Sequence, residues 1–206
     1  MGKTFKTIDE AVIRFAGDSG DGMQLTGGRF TETTAIVGND LSTLPDFPAE
    51  IRAPAGSLAG VSAFQLKFSS KDIHTPGDKP DGLVAMNPAA LKVHQKDLIP
   101  GGTMIINTDA FSKKNLNFAG YETNPVEDGS LDDYFTMIPI EMNKMVTAAC
   151  EGMDLTGKLV LRTKNFFALG VLFYMYDRPM DATEAWLKKK FAGKDAIIEA
   201  NTASMH

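Results

Sequence analysis

At 206 residues, with 43% hydrophobic and 23% charged composition, the chain is long enough for one domain with a buried core, which excludes disorder as its main state. Its 21 basic and 26 acidic residues give a formal net charge of −5, which argues against a nucleic-acid or anionic-membrane surface, so any anion must be held at a local site. The single cysteine, Cys150, excludes an internal disulfide and, with no CxxC cluster, an iron–sulfur cluster ligated by this chain alone; the simple inference is a reducing, cytoplasmic setting.

The first residues, MGKTFKTIDEAVIRF, carry charge where a signal peptide needs an apolar run, and Lys6 stands where a myristoylation motif needs Ser or Thr. Ala11 to Phe15 reads as a short strand closed by Ala16 and Gly17. A glycine-rich loop follows, and Met23 to Val37 then reads as a helix stopped by Gly38-Asn39. Residues 41 to 60, LSTLPDFPAEIRAPAGSLAG, are rich in turn signals and read as one long functional loop. Val61 to Phe68 alternates Phe64, Leu66 and Phe68 against Gln65 and Lys67, predicting a strand with one buried face.

Leu83 to Met86 and Met104 to Ile106 are short apolar runs bounded by turn residues and read as inner parallel strands. Pro88 to Val93 suits a helix with Pro near its first position, and Phe135 to Ile140 reads as a strand despite Pro139. Glu141 to Cys150, Phe166 to Tyr176, Thr183 to Phe191 and Lys194 to Ala200 are helical in character. The most apolar of these, FFALGVLFYMY, has the length of a core helix and is too short to span a bilayer. Alternating strands and helices with a helical tail predict an α/β fold: a mostly parallel, Rossmann-like sheet covered by helices on both faces.

In such a sheet, ligands sit beyond the C-terminal strand ends, where the first loop meets a helix N-terminus, and Gly17-Asp-Ser-Gly-Asp-Gly22 is predicted there. A turn needed only for strand-to-helix packing explains these letters equally well. A dinucleotide fingerprint requires G-x-G-x-x-G, whereas Gly17, Gly20 and Gly22 have the reverse spacing, and Asp21 would repel a pyrophosphate. Gly22 to Arg29 has the glycine spacing of a P-loop without its lysine or its magnesium-binding hydroxyl. Gly20-Asp21-Gly22 imitates the start of a thiamine diphosphate motif, but the next asparagine, Asn39, comes early and is followed by Asp40.

Two further stretches carry candidate chemistry. In PAEIRAPAGS, Arg52 can make a fork-like contact with phosphate or carboxylate, and a surface pair with Glu50 explains it as readily. In RTKNFFALG, Asn165 sits where a helix begins and reads first as its N-cap. His74, His94 and His206 lack ligand spacing, Cys150 reads as buried, and no pairing suits a general acid and base or a nucleophile.

Taken together, RFAGDSGDGM, GRFTETTAIVGNDLSTLPDFPAEIRAPAGSLAGVSAFQLKFSS and TKNFFALGVLF resemble the gamma domain of 2-oxoacid:ferredoxin oxidoreductases. The likeness is greatest to the amino-terminal part of the alpha subunit of 2-oxoglutarate:ferredoxin oxidoreductases, and it covers nearly the whole chain. It implies a Rossmann-like unit of the pyruvate–ferredoxin oxidoreductase domain III type, spanning residues 1–206. It further implies that residues 191–206 lead into a missing thiamine-binding domain; a separate gamma subunit is the other possibility.

The family decarboxylates a 2-oxoacid on thiamine diphosphate, passes electrons through iron–sulfur clusters to ferredoxin and releases an acyl-coenzyme A. The resemblance implies a part of such an enzyme, acting on oxo groups with an iron–sulfur protein as acceptor and inactive alone. The expected oxoacid is 2-oxoglutarate. Thiamine diphosphate, magnesium and clusters are expected only in partner alpha and beta domains, with no nucleic-acid or membrane partner. This chain is expected to form part of the coenzyme A site through Gly17, Ser19, Gly20, Asp21, Gly22 and Met23, with Arg52 on the loop toward the active site and Asn165 at the later helix. Met23 stands where pyruvate relatives carry a small hydroxyl residue, which puts one hydrogen bond of that site in question. A regulatory module binding coenzyme A or a nucleotide, and a purely structural interaction domain, are the competing readings.

Overall fold

Residues 6–50, 53–77 and 79–206 are described by the computed structural model of the chain. Strand β1 (Glu10–Asp18) runs up the centre of the sheet and turns at Gly22 into helix α1 (Met23–Ile36). Strand β2 (Asp40–Asp46) follows on one edge, and β3 (Val61–Ser69) returns between β2 and β1. Strand β4 (Gly82–Ala85), helix α2 (Pro88–His94), strand β5 (Thr103–Asn107), helix α3 (Lys113–Phe118) and strand β6 (Thr136–Ile140) build the other half. Five helices close the chain: α4 (Met142–Ala149), α5 (Gly157–Arg162), α6 (Lys164–Met175), α7 (Asp181–Lys190) and α8 (Asp195–Met205).

The six strands lie in the order β2-β3-β1-β4-β5-β6. β1, β4, β5 and β6 are mutually parallel, and β3 is antiparallel to both of its neighbours. The sheet is mostly parallel, as expected from the sequence, and β3 is the one strand that makes it mixed. The register pairs Asp18 with Val61 and Asp46 with Ala63, so the 47–60 connection leaves the sheet at the same pole as the glycine loop.

Period-two alternation distributes β1 between two apolar layers. Ala11, Ile13 and Phe15 join Phe64, Leu66 and Phe68 of β3 beneath α1 and α6, whereas Ala16 joins Ala63, Leu83 and Ala85 beneath α2. On α1, Met23, Thr26, Gly27, Phe30, Thr33 and Thr34 form the buried stripe, at helical spacing. Phe30 anchors it, with ring centroids 6.1 Å from Phe15 and 5.8 Å from both Phe68 and Phe173. Each such buried ring stabilises the fold by about 1.5–3 kcal/mol relative to exposure.

Two expectations are corrected here, and two helices are added. Residues 41–60 are not a single loop: their first part is edge strand β2, which tolerates Pro45 because an edge position leaves one backbone side unpaired. Strand β3 is buried on both faces, since Gln65 lies under the chain at Pro76 and Gly77 and donates to their carbonyls. Helices α3 and α5, six residues each, are too short for a periodic signal in the sequence.

Helix α8 packs along α6, and the tightest point is Gly170, where an added Cβ would stand 1.9 Å from the carbonyl oxygen of Met205. Backbone cannot retreat as a flexible side chain can, so Gly170→Ala must separate the two helices. The expected cost is about 2–3 kcal/mol or more, read as a fall of roughly 4–12 °C in the thermal midpoint by calorimetry.

Candidate functional site

Strand order reverses between β1 and β4: from β1 the chain moves outward to β2, and from β4 it moves the opposite way to β5. Crevices of this kind, beyond the carboxyl ends of parallel strands, are where α/β sheets receive ligands. Gly17 to Met23 and Met86-Asn87 form its two lips.

Gly22 makes the turn into α1 with φ 78 and ψ 26, in the left-handed region where glycine carries no Cβ penalty. Its missing side chain also admits Asn165, because a Cβ there would lie 2.7 Å from Asn165 Nδ2. This corrects the N-cap expectation: the cap position of α6 is Thr163, and Asn165 sits inside the first turn, accepting locally from the Phe166 N–H at 2.9 Å and facing the glycine loop.

Asp21 folds back over its own loop. Its N–H donates to Asp18 O at 2.9 Å, and its Oδ2 accepts the Asp18 N–H at 2.9 Å. Its Oδ1 pairs with Lys164 Nζ at 2.8 Å, with side chains 14% and 23% exposed respectively. Lys164 was not singled out from the sequence, since a lysine at a helix start carries no motif. Its place beside Asn165 in RTKNFFALG is the signal the sequence offers.

Asp18, at the end of β1, accepts the Gly56 N–H at 3.0 Å through Oδ2 and so ties the 47–60 connection to the glycine loop. Its Oδ1 is buried without a hydrogen-bond partner among the described residues. Burial, and then the neighbouring Asp21, push the Asp18 carboxyl above the ordinary aspartate value, against the opposing pull of Gly56, Asn87 and Lys164. Across the crevice, buried Asn87 caps α2 by accepting from Ala90 N at 2.8 Å, and buried Asn107 donates to Met86 O at 3.2 Å.

The structure thus brings Gly17, Asp21, Gly22 and Asn165 together and leaves Ser19 and Gly20 exposed at the loop tip. Met23 does not join them: its side chain enters the core with Phe15 and Phe30. Arg52 lies outside the described residues. The arrangement offers open backbone at a helix N-terminus and one partly exposed cation, which together suit an anionic ligand.

The Asp18 shift has a measurable sign. A native pKa raised above that of the unfolded chain means that ionisation favours unfolding, so the cost grows as pH rises from the ordinary value near 3.8 through the raised one. Asp18→Asn keeps an acceptor for Gly56 and removes the charge. It should raise the thermal midpoint at pH 7 relative to wild type, with the gain vanishing near pH 4.

Comparison with known proteins agrees with this layout. The chain is 52% identical over 198 residues to the 2-oxoglutarate oxidoreductase subunit KorA of Mycobacterium tuberculosis, an alignment covering 96% of this chain and 30% of that protein. The chain therefore spans about a third of the length of that relative. In fold it is similar to the 2-oxoglutarate:ferredoxin oxidoreductase of Magnetococcus marinus, solved with 2-oxoglutarate, coenzyme A and succinyl-CoA bound (TM-score 0.72, 22% identity, 96% of this chain and 30% of that one). It is also similar to a keto/oxoacid ferredoxin oxidoreductase gamma subunit from Geobacter sulfurreducens (TM-score 0.65, 18% identity, 96% and 93% of the two chains). A third likeness is to the pyruvate oxidoreductase subunit PORC of Thermotoga maritima (TM-score 0.61, 16% identity, 97% and 94%). Residues 12–206 match the family model described as pyruvate ferredoxin/flavodoxin oxidoreductase, and the chain belongs to that family.

Proposed function

We propose that this chain is a gamma-type domain of a cytoplasmic 2-oxoglutarate:ferredoxin oxidoreductase, and that its glycine loop forms part of the coenzyme A site. Two stretches far apart in sequence, the 17–23 loop and the start of α6, meet through Gly22–Asn165 and Asp21–Lys164, and that meeting is the observation that carries the reading. The identity to KorA and the coenzyme A in the Magnetococcus marinus structure support it.

In this reading the chain binds and orients, and partner alpha and beta domains carry the chemistry. Thiamine diphosphate in a partner supplies the decarboxylating centre, with magnesium and iron–sulfur clusters also held by partners and ferredoxin taking the electrons. The exposed N–H groups of the loop and the Lys164 ammonium receive an anionic segment of coenzyme A. The Asp21 carboxylate holds that ammonium in place before the ligand arrives, which lowers the ordering cost of binding. In this reading residues 191–206, the turn after α7 and helix α8, lead toward the thiamine-binding part of the fused arrangement.

Lys164→Ala and Asn165→Ala, each placed in the complex reconstituted with its thiamine-binding partners, test the assignment. Loss of a charge-assisted contact should raise KM for coenzyme A about tenfold or more, with KM for 2-oxoglutarate changed by less than about twofold. Equal KM values for coenzyme A in wild type and both variants would sink the site assignment. Absence of 2-oxoglutarate-dependent viologen reduction in the wild-type complex would sink the enzyme assignment. Tight calorimetric binding of coenzyme A by the chain alone, with no gain from partners, would favour the regulatory module.

A further inference from the structure

Arg14 places a guanidinium inside the central strand of the sheet, with its side chain only 12% exposed. Burying a charge in this way costs several kcal/mol unless every donor is answered. Nε and Nη2 donate to Gln65 Oε1 at 3.0 and 2.7 Å, and Nη1 donates to Asp97 Oδ2 at 2.6 Å and meets His94 Nδ1 at 3.1 Å. Gln65 passes the tie onward, donating to the carbonyls of Pro76 and Gly77 at 3.0 and 2.7 Å. Strand β1, strand β3, the end of α2 and the chain segment at residues 76–77 thus converge on one cation.

Arginine only donates, so the contact at Nδ1 requires a lone pair there. The imidazole is therefore neutral with its proton on Nε2, which is buried and has no partner among the described residues. A second proton, on Nδ1, would set donor against donor at 3.1 Å and place two cations beside one carboxylate, since Asp97 Oδ2 is also 3.9 Å from Nδ1. The charged groups acting on the ring are Arg14 from β1, Asp46 from the end of β2 and Asp97 from the turn after α2. Burial, and next Arg14, lower the His94 pKa from its ordinary value, while Asp46 and Asp97 oppose them without reversing the direction. A cleft of about 460 Å³ between Leu44–Asp46 and Val93–Asp97 gives this cluster a path to water.

We propose that Arg14, Gln65, His94 and Asp97 form a proton-operated clamp, which fixes the C-terminal end of α2 and the 76–77 segment on the sheet while His94 is neutral and releases them when it takes up one proton. The inference is independent of the coenzyme A reading. Its reach toward the crevice is short: α2 is seven residues long, and Met86 just before it donates to Ala16 O at 2.9 Å. The sign follows from linkage. The opened form, with His94 at its ordinary value near 6.5, binds the proton more readily than the closed form. Closure is therefore fully favoured above that pH and weakens as pH falls toward the lowered native value.

Amide hydrogen exchange of residues 76–98 is to be followed from pH 8 to pH 5 in the full wild-type chain and in His94→Asn, which keeps an acceptor for Arg14, with the ring nitrogen resonances of His94 followed in wild type. Protection in wild type, corrected for intrinsic exchange, should fall by about tenfold per pH unit below the ordinary histidine value, and the variant should stay flat. A flat wild type, or a variant that falls in parallel with it, would overturn the proposal. If His94→Asn does not fold, wild type alone decides: ring protonation coincident with loss of protection supports the clamp, and either occurring without the other overturns it.

Discussion

Everything at the upper pole depends on one close approach, that of Asn165 to the backbone of Gly22. The chain leaving β1 must reverse within a few residues to lay α1 back across the sheet, and a left-handed residue at the helix start achieves this. The same residue must present no side chain, because the amide of Asn165 occupies that space. Two demands, one conformational and one steric, thus fall on a single position. Meeting both docks the start of α6 against the start of α1 and sets the Asp21–Lys164 pair between them.

The same two helices share the core beneath the site. α1 and α6 diverge from that contact over a shared aromatic core in which Phe30 touches Phe15, Phe68 and Phe173. On the opposite face α2 closes a separate layer of small and branched residues, Ala85, Ala89, Ala90 and Leu91. The crevice between β1 and β4 is therefore held by a core on each side, and its polar lining of Asp18, Asn87 and Asn107 comes from strand ends or from residues just beyond them.

Charge placement follows a common pattern at the end and at the middle of β1. At the upper end two aspartates close in sequence are relieved by one lysine and by backbone N–H groups, and Asp18 resists ionisation because burial and Asp21 both disfavour a second charge. Lower on the strand a buried arginine is answered by a carboxylate, an amide and a neutral imidazole. In each case a charged group sits where a hydrophobic one would pack more cheaply, and it ties the strand to segments outside the sheet: the 47–60 connection through Asp18, and the turn after α2 through Arg14.

Much of this was legible in the letters. The runs LVAM and MII are apolar, AVIRF is apolar but for Arg14, all three are short enough to be strands only, glycines and prolines mark their ends, and the glycine loop lies at a strand exit. The family likeness was readable from the same loop together with TKNFFALGVLF. Helices α3 and α5 escaped because six residues carry too little periodicity, and edge strand β2 escaped because prolines mask a strand whose outer side needs no partner. Local chemistry thus determined which segments fold and where the turns fall. Tertiary structure alone decided that β3 runs antiparallel, that Met23 turns into the core, that Asn165 serves the loop instead of capping its helix, and that Lys164 reaches Asp21. The physical reason is range: turn and helix signals act over a few residues, whereas strand pairing, burial and ion pairing depend on groups brought close only by the folded chain.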